Sequence, residues 1–172
     1  SAVIAALDHV VSLKSTYNIR VVNLSVAAAV LESYEMDPLT VAARRAVEAG
    51  LVVVAAAGNR GEGGTGRAQY GGIAAPGNAP WVLTVGATSH AGTIDRSDDS
   101  IAKFSSRGPT AIDHLAKPDI VAPGVGIESL SAPGSRMYNT LSSFLLPGTV
   151  SSASLPYLSL TGTSMAAPVV SG

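Results

Sequence analysis

The segment Gly162-Thr163-Ser164-Met165-Ala166-Ala167-Pro168 carries the sharpest chemical signal in the chain. Small residues lead into an apolar stretch, which reads as a turn feeding a buried helix. A serine at a helix start, flanked by residues too small to block it, presents its hydroxyl to a substrate while its own backbone N–H points at the same spot. The same position also suits a serine that only caps the helix. Three other patterns suggest chemistry and fail on context. Gly61-Glu62-Gly63-Gly64-Thr65-Gly66 satisfies G-x-G-x-x-G just after a strand, but a dinucleotide site needs those glycines to open a helix and an acid about 20 residues on. Here they lead toward Pro76, and the next carboxylate after Glu62 is Asp95. Asp95-Arg96-Ser97-Asp98-Asp99 lacks the alternating acids, central glycine and terminal glutamate of a calcium loop, and reads as a solvated turn. His9, His90 and His114 are scattered, with no metal-ligand spacing.

The elements that must position these residues follow from local signals. Val3, Ile4, Leu7, Val10 and Val11 keep helical spacing, and Tyr17-Asn18 closes that helix before a β-rich run, Arg20 to Ser25. Asp37-Pro38 supplies a cap and a proline at the first helical position, the stretch to Ala49 is helix-forming, and Gly50 sits where a left-handed cap belongs. Leu51 to Ala57 is a continuous apolar run of strand length, as expected for a strand covered on both faces of a parallel sheet. Strand, helix, strand then implies a right-handed crossover and an α/β fold. Residues 58–80 form a long Gly/Pro-rich loop of the kind that carries function. Strands are expected at Trp81 to Gly86, around Ile120-Val121, and at Ile127 to Leu130. Residues 131–160, where Arg136 is the sole charge, read as an inserted loop or hairpin.

The composition narrows the field. With 172 residues, 47% of them hydrophobic, the chain can bury one core as a single domain over 1–172. A net charge of -1 without any Lys/Arg cluster offers no footprint for nucleic acid or an anionic membrane. The absence of cysteine excludes disulfides, thiolate zinc sites and cysteine nucleophiles without fixing the compartment. Charged residues make up only 13%, against roughly 25% in an ordinary domain, so either much surface is buried or part of the fold lies outside the chain. The helix-like first residues and the apolar last ones read as cut ends.

Taken whole, the string from Gly162 to Pro168 resembles the nucleophile motif of subtilisin-like serine proteases, the subtilase family. Val53-Val54-Ala55-Ala56-Ala57-Gly58-Asn59 is similar to the segment where that family carries its oxyanion-hole asparagine. Val22-Asn23-Leu24-Ser25 resembles its substrate-flanking strand, Ala75-Pro76-Gly77 and Trp81 to Ala87 its central segment, and Phe104 to Pro109 with Lys117 to Gly124 the stretch before the nucleophile. The resemblance implies a three-layer α/β/α fold with a mostly parallel sheet, here incomplete. It implies acyl-enzyme chemistry on Ser164, an oxyanion hole from the Asn59 amide with the Ser164 N–H, and polypeptide binding along Ser25, Val26, Ala27, Ala57 and Gly58. A cis bond at Ala75-Pro76 is expected on the same grounds. Two departures stand out. Ala27-Ala28 replaces a pair of glycines common in the family, and Val169 stands where a histidine often follows the motif.

Subtilases order their triad Asp, His, Ser, yet no D-T/S-G or H-G-T-H pattern occurs here. The chain is therefore expected to be the C-terminal portion of a catalytic domain, inactive alone, and to associate with the missing N-terminal part or with itself. The alternative is a noncatalytic, degenerate module that binds peptides or partner chains. Family habit implies an extracellular or cell-envelope location and a structural calcium in the parent domain, with no cofactor required for the chemistry. A weaker cation site would use the carbonyls of Gly77, Ala79 and Val82 with the Asp119 carboxylate.

Overall fold

A computed structural model describes all residues, 1–172. Helix α1 (Ala2–Tyr17) ends as its spacing indicates, with Asn18 left-handed at φ 51°. Strand β1 (Val21–Leu24) leads to α2 (Pro38–Glu48). The Asp37 carboxylate accepts hydrogen bonds from the Leu39 and Thr40 N–H groups, both at 2.9 Å, and so satisfies donors that the first helical turn leaves unpaired. At the other end Gly50, at φ 83°, lets its own N–H reach Val47 O and the Leu51 N–H reach Ala46 O. That reciprocal closure turns the chain directly into β2 (Val52–Ala56), which pairs parallel with β1 in the register Val21 to Val52 through Leu24 to Ala55.

Strand β3 (Leu83–Ser89) lies parallel to β2, while β4 (Ser100–Ile101) joins β3 antiparallel and β5 (Ile120–Pro123) joins it parallel. Side chains of β2 alternate between two cores. Val53 and Ala55 face Leu7 of α1 and Ala42, Ala43 and Ala46 of α2. Val54 and Ala56 face Val85, Ala122 and the fully buried Ala166 and Ala167 of α4 (Thr163–Ser171). The arrangement is three layers, α/β/α. Because α4 meets the sheet through alanines, added bulk there is expected to cost about 1–3 kcal/mol in displaced packing.

Two expectations shift. The third strand begins at Leu83 instead of Trp81 and runs on to Ser89. Trp81 is held in a turn, its indole N–H donating to Thr40 O at 3.0 Å and its ring meeting Tyr34 edge-on at 5.1 Å, so tertiary anchoring overrides its strand propensity. Residues 131–160 are not all insertion. Strand β6 (Ile127–Leu130) pairs antiparallel with β8 (Tyr157–Leu160), and a short β7 (Leu145–Leu146) joins β8 on its other side. The true excursion is 131–156, holding α3 (Arg136–Thr140) and closed by the Ser131 N–H on Pro156 O at 2.8 Å. Ala75-Pro76 is cis as expected; Gly108-Pro109 and Lys117-Pro118 are cis as well. No helix is long and apolar enough to cross a membrane.

Candidate active site

Ser164 is the second residue of α4. The helix has no cap from its own flank, since Gly162 precedes it without a side chain. Asn59, just beyond the C-terminal end of β2, does that work from a distance: its Oδ1 accepts from the Thr163 N–H and from Thr163 Oγ1, both at 3.0 Å. Thr163 Oγ1 in turn accepts from the Gly58 N–H at 3.1 Å. The Thr163 N–H can only donate, so the amide oxygen must face it and Nδ2 is left for the outside. Within the chain Nδ2 donates to nothing, and Asn59 is exposed. Gly162 is needed here, because at φ 156° a Cβ would stand 3.3 Å from that Nδ2.

A second clamp comes from β1. Ser164 Oγ donates to Ser25 O at 3.1 Å, and Ser25 Oγ donates to Ser164 O at 2.7 Å. The second bond has a sequence cause. Pro168 lies inside α4 and lacks the N–H that would bond the carbonyl four residues back, which is that of Ser164. Asn23 completes the grip, giving Nδ2 to Ser25 Oγ at 2.9 Å and accepting from Ser171 Oγ at 3.1 Å.

Beside Asn59 lies a cavity of about 380 Å³ whose walls include Ala27, Ala28, Gly58, Gly72 and Ala74, with Arg60 its one charged residue. Ala28 and Ala75 exchange both backbone bonds, at 2.9 and 3.0 Å, and close one side. Of the residues expected to bind substrate, Ala27 and Gly58 line this cavity; Ser25 lies under Ser164, Val26 is exposed, and Ala57 is fully buried, its carbonyl taken by the Ala74 N–H. Ser164 itself opens onto a second recess of about 360 Å³, formed by α4 and the β6–β8 sheet with Leu130, Leu160 and Met165.

The rejected patterns resolve structurally. Gly61 is required by packing, for a Cβ there would come within 1.9 Å of Ser105 O, and no helix follows the glycines. Asp95 caps a single 3-10 turn, and bonds from the Ser97 backbone N–H and hydroxyl hold its carboxyl below the ordinary value of 3.8. His9 and His114 are exposed, His90 accepts from the Gly92 N–H, and Asp113 is tied to Ser33 and the Tyr34 N–H. None of them bonds to Ser164. The expected weak cation site fares differently. Lys117 Nζ stands between Val82 O at 2.7 Å and Asp119 Oδ2 at 2.6 Å, so two of the four named ligands already hold a positive charge, and the residues present do not fit a resident metal. No cluster of three or more His, Cys, Asp or Glu side chains suited to a metal exists elsewhere.

The contiguous strings that resemble subtilase motifs single out Ser164 and Asn59, whereas the roles of Thr163, Asn23 and Pro168 emerge only from the contacts. The presence of a proline four residues after the serine is the one signal that could have marked the free carbonyl.

Comparison with known proteins agrees with this architecture. The chain is 42% identical over 136 residues to Serine protease AprX of Bacillus subtilis (strain 168), covering 79% of this chain and 28% of the relative. It is 37% identical over 142 residues to Subtilase-type proteinase RRT12 of Saccharomyces cerevisiae, covering 83% and 21%. Among solved structures, S41 Psychrophilic Protease superposes with a TM-score of 0.69 at 25% identity, over 98% of this chain and 46% of its own. The chain thus spans less than a third of these curated relatives. Residues 2–172 match the family model of the subtilases, peptidase S8, and the chain belongs to the subtilase family.

Proposed function

We propose that this chain supplies the nucleophile and the oxyanion hole of a serine endopeptidase whose triad aspartate and histidine lie upstream in the parent protein. The observation that carries this reading is the Asn59 clamp on Thr163, which anchors Oδ1 and leaves Nδ2 free beside the residue preceding Ser164. In the proposed reaction Ser164 Oγ attacks the carbonyl carbon of a peptide bond while its proton passes to the upstream histidine. The oxygen that gains negative charge accepts from the Ser164 N–H and from Asn59 Nδ2, donors fixed before the charge develops. Collapse expels the amine, which takes the proton from the histidine, and water then releases the acyl group by the reverse sequence. The cavity beside Asn59 receives the side chain on the acyl side of the cleaved bond, and the apolar recess on the far side of Ser164 the leaving segment.

Within this chain the Ser164 hydroxyl donates only to the Ser25 carbonyl, which cannot take its proton, so the isolated chain is expected to show no measurable peptidase activity. Exposed Val21, Leu130 and Val169 are surface that the rest of the parent covers or, in its absence, that a second copy covers. An extracellular or cell-envelope location belongs to the same proposal. The test is a fluorophosphonate probe together with a peptide substrate, applied to the full-length parent protein and to its Ser164→Ala variant. Labelling and cleavage that both vanish in the variant are expected. A parent that binds the peptide but is neither labelled nor able to cleave it would instead be a noncatalytic binder.

A further inference from the structure

We propose that the Lys117 ammonium is a built-in replacement for a structural metal ion, pinning the turn before β3 to the start of β5, so that this part of the fold is indifferent to calcium. Lys117 is the only buried charged residue of the chain; its side chain is 3% exposed, against 35% for its partner Asp119. A buried ammonium is tolerated only when its charge is matched and its donors are used. Here the charge is matched and two of the three N–H groups are used. Nζ donates to Val82 O at 2.7 Å and to Asp119 Oδ2 at 2.6 Å, lengths typical of charge-assisted bonds.

The surrounding oxygens are spoken for in the same way. Asp119 Oδ2 also accepts from the Thr84 N–H at 2.7 Å. Gly77 O accepts from Thr84 Oγ1 at 2.6 Å, and Ala79 O from the Val82 N–H at 3.3 Å. A calcium ion would need six to eight oxygens at about 2.3–2.6 Å, and here the three carbonyls and Asp119 Oδ2 each already accept a hydrogen bond from within the chain. An incoming cation would compete with those bonds and stand against the ammonium, which already occupies the space between Val82 O and the Asp119 carboxylate and balances its charge. What a metal would do by coordination, a tethered cation does by hydrogen bonding: it draws one carbonyl of the 77–82 turn and one carboxylate of β5's approach to a common point. The connection to the sheet is direct, since Thr84 and Asp119 also pair through the Asp119 N–H on Thr84 O at 2.9 Å. The inference is independent of the chemistry proposed for Ser164.

The experiment measures bound calcium and thermal midpoints in the full-length protein, in EDTA and in millimolar calcium, for the unmutated form, Lys117→Ala and Asp119→Asn. Asp119→Asn is expected to lower the midpoint equally in both buffers and leave the bound-calcium count unchanged. Lys117→Ala, which leaves a carboxylate and a carbonyl facing a void, is expected to be destabilised in EDTA, to bind one more calcium per chain, and to regain part of its midpoint. A calcium count that falls by one on Asp119→Asn would overturn the proposal, and that reading does not require Lys117→Ala to fold. A folded Lys117→Ala that binds no additional calcium would overturn it too.

Discussion

Replacing Asn59 by alanine and by aspartate separates two tasks assigned to one amide. Alanine removes both acceptor contacts to Thr163, which is 1% exposed, and leaves its N–H at the head of α4 without a partner. One net hydrogen bond is worth about 1 kcal/mol and an orphaned buried donor costs about 1–3, so a loss of about 2 kcal/mol is expected, at the upper end of what a lost helix cap costs. Aspartate keeps an oxygen in the same place and adds negative charge at a helix N-terminus, which contributes about 0.3–1 kcal/mol at an exposed site, so its stability should equal or exceed that of the unmutated protein. Turnover should fall in both, because both lack Nδ2, and aspartate sets a like charge beside the developing oxyanion. The assay pairs urea unfolding with peptide hydrolysis in the full-length protein. If aspartate destabilises as much as alanine, the clamp is misread; if aspartate retains full turnover, the oxyanion assignment fails.

Three further outcomes are expected. Ser25→Ala should cost about 1 kcal/mol for the bond lost at Ser164 O, and less in a Pro168→Ala background where a backbone N–H is available to that carbonyl; a double-mutant cycle showing no coupling would refute the link. Gly61→Ala should cost about 3 kcal/mol, since the added methyl meets backbone at 1.9 Å, whereas Gly64→Ala, with nothing within 4 Å, should change unfolding by less than about 0.5 kcal/mol. Carbon-detected titration should place the Asp95 midpoint below 3.8; the associated stabilisation is present above pH 3.8 and fades as pH falls through the lowered value, and a midpoint at or above 3.8 would show that the Ser97 bonds do not form in solution.

Helix α2 and strand β2 were legible in the sequence because their signals are local: Asp37-Pro38 at one end, Gly50 at the other, and an unbroken apolar run after it. Ser164 and Asn59 were legible because each sits in a contiguous, specific string. The rest depends on residues meeting across the fold. Trp81 reads as a strand residue until Thr40 and Tyr34 are known to hold it, and the two-residue β4 and β7 have too few positions to show any period. The cation expectation meets its difficulty for a related reason. Gly77, Ala79, Val82 and Asp119 were matched by position, but nothing in the order of residues says that the Lys117 side chain folds back into their midst.

The two clamps on α4 also bear on how the protein reaches its native state. Asn59 and Thr163 are 104 positions apart, and Ser25 and Ser164 are 139 apart, so the surroundings of the serine are built from contacts that only a nearly complete chain can make. Contacts of such separation reward the chain only after large loops have closed, which slows folding and places these bonds late. Substitutions at Asn59 and Ser25 should then accelerate unfolding and leave the refolding rate almost unchanged, as stopped-flow measurements would register. For the nucleophile proposed above, assembly in this order means that Ser164 stays unorganised through synthesis and collapse, while unfolded chain, its own included, is close at hand.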